Sequence, residues 1–416
     1  MHLNALVLPA LLPSAALAFP WAANFARSAG GEGVSAVKTS PLLAAVEKRQ
    51  AAICPVHLTR QGAAPYSKYY PSQYTGAKNG QPGTGKGGVL VPAAGDTAHA
   101  YEAPGPSDIR GPCPAINMFA NHHFISHDGL TTYTELVDAA QNVFNWQWNL
   151  AAFVAAFGII QDGDPVTEML SIGCTGGLTV PNTGLNTHNK FEADQSMART
   201  DFNLSPTGDA YDVNGTLFGQ LINYCQPQQY SNDRMGQFNQ LRFNQSLATN
   251  GNFFNGFLQF FVLGTALLPL NSFANYQGGT PNPTEDVIST FWGTSKKSDG
   301  SWQYNRNESI PQSWYNRPDS YSLQHIIAQI SADYLKYPAP LGGNTGAPNT
   351  FVGLNYPGFV QNGVLTNATP QGLQCLLYNT ISIGVPTSLT QMAQLSAAQS
   401  TFLKNKLGST LSSFAC

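Results

Sequence analysis

Apolar residues recur at helical spacing through the middle and later parts of the chain, and the alternation a half-buried strand needs is scarce. Thr132 and Glu135 can form a capping box, after which Leu136, Ala140, Val143, Phe144, Ala151, Val154 and Phe157 keep a helical period until Gly163. The pattern predicts one long, buried helix there. A second helix is predicted over about 216–224, and Ser231 is suited to cap a third in which Met235, Phe238, Leu241 and Leu247 share a face. Residues 255–268 are almost wholly apolar and read as a buried helix ended by Pro269, too short for a membrane span. Helices are expected again over 322–335 and 388–411. The fold class implied is mainly α. Residues 50–105, rich in Gly, Pro, Tyr and Ala, read as an irregular arm wrapping the domain, and the Gly-, Pro-, Asn- and Ser-rich stretch 275–317 reads as a loop-rich surface excursion.

The first residues belong to another category. The apolar run from Leu3 to Leu17 ends in Ala16-Leu17-Ala18, the pattern of a secretory signal peptide over 1–18, and Lys48-Arg49 offers a dibasic site closing a pro-peptide over 19–49. Residues 50–416 then form a single multi-helix domain, secreted and without a membrane anchor. Asn203, Asn214, Asn244, Asn307 and Asn367 each start an N-glycosylation sequon, as an exported glycoprotein would carry. Of six cysteines, Cys375 and Cys416 are the best disulfide pair, because Cys416 would tie down a fraying terminus; Cys54, Cys174 and Cys225 have no assignable partners. The formal charge of -3, with 10% charged residues, leaves no basic stripe for nucleic acid and no acidic tail. There is no internal repeat, Gly-rich phosphate loop or nucleophile elbow.

Two short elements carry chemistry. Cys113 stands in Gly111-Pro112-Cys113-Pro114 directly before Ala115-Ile116-Asn117-Met118, so it is expected at the start of a helix with Pro114 at the first helical position. The positive helix end favours a thiolate, which could bind haem iron axially; the alternative is a buried or disulfide-bonded cysteine. Further on, Glu192, Asp194 and Ser196, with the carbonyl of Ala193, gather hard oxygen donors suited to a magnesium ion, or else simply cap a helix.

Together these elements resemble the fungal haem-thiolate peroxidases, the chloroperoxidase and unspecific peroxygenase family, whose pattern is Pro-Cys-Pro followed by Glu-Gly-Asp or Glu-His-Asp and then Ser. Leu170-Ser-Ile-Gly173, Gly184-Leu-Asn186 with His188, Arg199 with Asp201, Thr216-Leu-Phe218 and Leu241-Arg-Phe243 also look like the family, and the Cys375/Cys416 pair resembles its longer members. The resemblance implies an oxidoreductase that uses haem b and hydrogen peroxide on small organic, aromatic or apolar, molecules. It makes Cys113 the axial ligand of the haem iron, and Glu192, the Ala193 carbonyl, Asp194 and Ser196 the holders of a magnesium ion beside a haem propionate. Ala193 departs from the family's Gly or His.

On the opposite face of the haem the family uses a Glu, helped by an Arg about two turns earlier, to move a proton between the oxygens of peroxide. Matching Phe260-Phe261 puts Gln259 at the Arg position and Ala266 at the Glu position; a shift of one residue gives Thr265. None is a base, and no Glu occurs between Glu192 and Glu285. Atypical or weak peroxide activation is therefore expected, the other reading being a haem-binding carrier or tailoring protein of this family without peroxygenase turnover. His122, His123 and His127 follow Cys113 closely and belong on its side of the haem; His123 and His127 could form one edge of a zinc site if helical, but read as structural. Glu285, Glu308 and Asp333 are unplaced.

Overall fold

A computed structural model describes residues 54–57, 59–65, 75–178, 182–190, 193–205, 210–225, 230–257, 259–382, 384–386, 392–414 and 416. The expected signal peptide and pro-peptide, 1–18 and 19–49, lie outside them, as does Glu192. Ten α-helices dominate the described residues and the β-structure is confined to short two- and three-stranded pieces, so the chain is mainly α as expected.

The first helix, α1 (Pro114–Asn121), is short and half-buried at its start. The long helix predicted after it is in fact two, α2 (Tyr133–Phe144) and α3 (Trp148–Asp162), packed on each other. Periodicity runs on through the break because both helices are buried, but Asn145 turns left-handed (φ 53°), which Asn tolerates better than most side chains, and its amide donates to the carbonyls of Gly85, Arg317 and Pro318. Thr132 caps α2 by accepting from Glu135 N. The Glu135 carboxylate does not complete a box; it meets Arg60 and Thr131 instead.

Next come α4 (Gly215–Tyr224) and α5 (Asn232–Thr249), the latter capped by Ser231 as expected, with Met235 and Phe238 fully buried and Leu241 half-buried. Helix α6 (Gln259–Leu268) is shorter at its start than the apolar run, because Phe254 and Asn255 pair as a strand with Gly342 and Gly343. Pro269 does not end it cleanly: the chain continues as one wider, π-type turn over Pro269–Phe273. Helix α8 (Leu323–Lys336), capped by Ser322, packs on α5 and α6, and α9 (Pro370–Ser382), which the sequence reading missed, packs on α8. The last helix, α10 (Ala397–Ser412), starts later than expected, at the Ser396/Gln399 capping box.

The stretch 275–317 is not a surface excursion. It contains α7 (Glu285–Phe291) and the hairpin Thr294–Lys296 with Trp302–Tyr304, and it buries Ile288, Phe291, Trp292 and Trp314 in the main core. Its elements are too short for periodicity to register between the Gly and Asn turns. The arm is irregular as expected, and is pinned where Gly80 N and Gly83 N donate to Asp138 and Gln141 of α2. Two disulfides close the chain on itself, the expected Cys375–Cys416 and Cys54–Cys174, leaving Cys113 and a buried Cys225 as thiols.

Candidate active site

Cys113 is the N-cap of α1 and Pro114 its first residue, so the helix starts without an unsatisfied N–H at N1 and its positive end faces the sulfur. The loop carrying the sulfur is held from behind. Asn117, fully buried, accepts from Gly111 N (2.9 Å) and donates to Gly111 O (2.9 Å), clamping both polar atoms of that residue. Gly111 is required here, since a Cβ would sit 1.8 Å from the carbonyl oxygen of Ile172. Asn117 also donates to Glu308 Oε1 (2.7 Å), which accepts from the Tyr304 hydroxyl (2.7 Å) as well. Glu308 is fully buried and its Oε2 has no hydrogen-bond partner. Burial, and then the Glu308 charge, push the Tyr304 phenol far up, which keeps it a donor. Arg110 adds bonds to Asn121 and to the carbonyls of Ile109 and His127. Sequence reading had Asn117 in hand within the Pro-Cys-Pro run, but gave no signal for Glu308, which lies 191 positions away.

His122, at the end of α1, faces the His99 carbonyl through Nδ1 and accepts from Ile310 N through Nε2. Burial lowers its pKa to about 4, so it is a neutral structural residue on the sulfur's side of the molecule. His123 is not helical; its φ is 56°.

The sulfur opens on an apolar cavity. Ile116 and Phe119 of α1, Phe144 of α2 and Phe153 of α3 line it, and across from these stand α6 and α8, through Phe260, Leu268, Ile326 and Ile330. The chemistry of this lining, apolar with one cysteine sulfur, suits a flat apolar group that takes a sulfur ligand. Among the described residues that line it there is no Asp, Glu, His, Lys or Arg. Among the described side chains of α6, the polar one on the wall is Thr265, beside Gly264. Ala266, the position matched to the family's Glu, is about 100° further round the helix, packed to 1% exposure and off the cavity wall. Gln259 opens α6, and its side chain lies outside the described residues. Glu285 starts α7 and pairs with Lys296, and Asp333 on α8 does not line the cavity.

The 193–201 segment is bound tightly to α5. Asp194 accepts from Phe202 N (3.2 Å), Phe254 N (3.4 Å) and Asn250 Nδ2 (3.2 Å), so its oxygens are engaged within the protein. Asp201 takes Gln195 N and Ser246 Oγ, and Arg242 Nε holds the Ser196 carbonyl. Ala193 is buried and Ser196 half-buried. Within 186–199, Asn186 Oδ1, His188 Nδ1, both side-chain atoms of Gln195 and Arg199 Nη2 are buried without hydrogen-bond partners, and His188 Nε2 lies 3.5 Å from Asp194 Oδ1, a concentration of unsatisfied polar atoms suited to an ionic group.

Residues 99–319 match the family model described as peroxidase, family 2. The chain is 34% identical, over 71% of its length and 74% of the relative's, to the dothistromin biosynthesis peroxidase of Dothistroma septosporum. It is 30% identical to the aromatic peroxygenase of Cyclocybe aegerita, over 62% of this chain and 67% of that one, and 39% identical to that of Coprinellus radians over 38% and 63%. A thiol at a helix start, an apolar cavity and these likenesses converge: the chain belongs to peroxidase family 2, and is a haem peroxidase oxidoreductase.

Proposed function

We propose that the protein is a secreted haem-thiolate peroxidase or peroxygenase in which Cys113 is the axial ligand, and which oxidises small apolar, aromatic molecules slowly with hydrogen peroxide. The observation that carries this reading is the Cys113 sulfur at the N-cap of α1, opening on a cavity with an apolar lining. When bound, haem would supply the redox chemistry, with the thiolate donating electron density to the iron. The chain's own work is then threefold. Asn117 and Gly111 hold the sulfur's loop in place; the helix end stabilises its negative charge; and Phe119, Phe144, Phe153 and Phe260 exclude water and select flat apolar substrates. Proton transfer at the peroxide would be the weak step, because among the described residues the cavity wall offers a Thr265 hydroxyl where a carboxylate would serve; such acid–base help is worth roughly 10²- to 10⁴-fold.

A magnesium ion beside a haem propionate would be held by Glu192, the Ala193 carbonyl and Ser196. Asp194 would anchor the loop through its bonds to Asn250 and Phe254, and the unpartnered atoms of Asn186, His188 and Gln195 favour an ionic occupant nearby. Export agrees with two disulfides and with exposed sequons at Asn203, Asn244, Asn307 and Asn367; Asn214 is a poorer acceptor, since its side chain caps α4 and bonds Thr200.

A second reading, a haem-binding carrier or tailoring protein without peroxide turnover, is favoured by the same absence of an acid–base side chain from the described cavity lining. Incubating the haem-loaded protein with a two-ring aromatic hydrocarbon and ¹⁸O-labelled hydrogen peroxide separates the two. Labelled phenolic product supports the peroxygenase; substrate binding seen as a haem spectral shift, with no product, supports the carrier.

A further inference from the structure

Away from the cavity, Glu102, His123 and His127 present three ligand atoms within 4.8 Å of one another. His123 Nε2 lies 2.9 Å from Glu102 Oε2. His127 is nearly buried, and both its ring nitrogens face oxygens: Nδ1 lies 3.2 Å from Asp108 Oδ2 and Nε2 lies 3.3 Å from the Glu102 carbonyl. His127 thus sits between a carboxylate and a carbonyl oxygen, with Nε2 on the Glu102 side. Asp108 is itself fixed, because the same oxygen accepts from Gly105 N (2.7 Å), and it orients His127 as carboxylates orient metal-binding histidines. The two imidazole rings stack at 4.8 Å, which brings both to one place.

We propose that Glu102, His123 and His127 bind a divalent d-block ion of the zinc class, with the Glu102 carbonyl or water completing the shell. Two imidazoles and a carboxylate are a zinc donor set, with bonds of about 2.0–2.2 Å, and a tetrahedron of that size needs its donors drawn in to roughly 3.4 Å apart. His123 and Glu102 are already closer than this, so rotation of partly exposed side chains suffices. The left-handed backbone at His123, rather than a helical i, i+4 pair, is what turns its ring back toward Glu102. The ion would lie just beyond the C-terminal end of α1, where a positive charge is favoured, about 12 Å along the axis from Cys113. It would staple the arm at Glu102, whose N–H already bonds Asn121 O, to the helix that carries the sulfur.

The test is titration of the full, haem-loaded, chelator-stripped chain with Zn²⁺ alone, read by competition with a chromophoric chelator and by thermal unfolding. One equivalent is expected to bind and to raise the unfolding temperature. His123→Gln, at a half-exposed position that leaves the fold intact, should weaken binding at least tenfold, and Asp108→Asn should weaken it about 10- to 100-fold. Absence of stoichiometric binding overturns the proposal. So does binding of equal strength in wild type and His123→Gln, which would mean adventitious zinc elsewhere.

Discussion

Behind the Cys113 sulfur and across the cavity from it, the protein is built from opposite materials. The near side is a buried polar lattice of Gly111, Asn117, Tyr304 and Glu308 with several bonds per residue, and one carboxylate oxygen left over. Among the described residues, the far side, α6 with α8, is aliphatic and aromatic, with the Thr265 hydroxyl on the face that α6 turns to the cavity. Buried polar networks cost stability unless nearly satisfied, so a chain that retains one is holding something in a fixed place. The described residues of the far wall include no ionisable group to exchange a proton. The contrast teaches that positioning of the sulfur and acid–base help at the peroxide are separable, and under the proposed function the described residues supply the first.

The contrast can be broken first at the sulfur. Cys113→Ala should abolish the thiolate-type haem spectrum altogether, measured by absorption of the reduced carbon monoxide complex. Next, Thr265→Glu should sharpen it by placing a carboxylate on the far wall: the initial rate of peroxide-dependent aromatic oxidation should rise at least tenfold, within the roughly 10²- to 10⁴-fold that such groups supply. Ala266→Glu should give no gain, because position 266 is packed away from the cavity, and should lower stability by burying a charge. A gain at 266 and not at 265 would show that the two sides are not arranged as described.

On the near side, Asn117→Ala removes both Gly111 bonds and leaves the Glu308 carboxyl with Tyr304 alone, and should cost about 3 kcal/mol in denaturant unfolding, with a shifted haem spectrum as the sulfur's loop loosens. The smallest effect is one of pH. Burial raises Asp138 to about 6, against which the Gly80 N–H pulls down. Its native pKa is above the unfolded value, so the stability that Asp138 contributes is present in acid below about 4 and lost as pH rises through about 6. Asp138→Asn should therefore flatten that part of the stability curve, followed by unfolding midpoint against pH.

The sulfur side was legible because its signals are local. Pro-Cys-Pro places the cysteine at a helix start, and capping residues such as Ser231, Ser322 and Thr132 mark where α5, α8 and α2 begin. What could not be read was non-local or hidden by burial. Glu308 joins Asn117 across nearly half the chain; the break at Asn145 lies inside an unbroken apolar period; and α7 sits in a stretch whose Gly and Asn content suggests loop. Of the two positions the resemblance offers, Ala266 and Thr265, it is Thr265 that lines the cavity. Sequence alignment numbers residues along a helix, while the packing of α6 against α8 decides which of them meets the cavity.

The most direct measurement is the carbon monoxide difference spectrum of the reduced, haem-loaded protein beside its Cys113→Ala variant. The account expects a red-shifted, thiolate-type Soret band in the wild type that vanishes in the variant. An ordinary histidine-type band in the wild type, or a thiolate-type band that survives loss of Cys113, would contradict it.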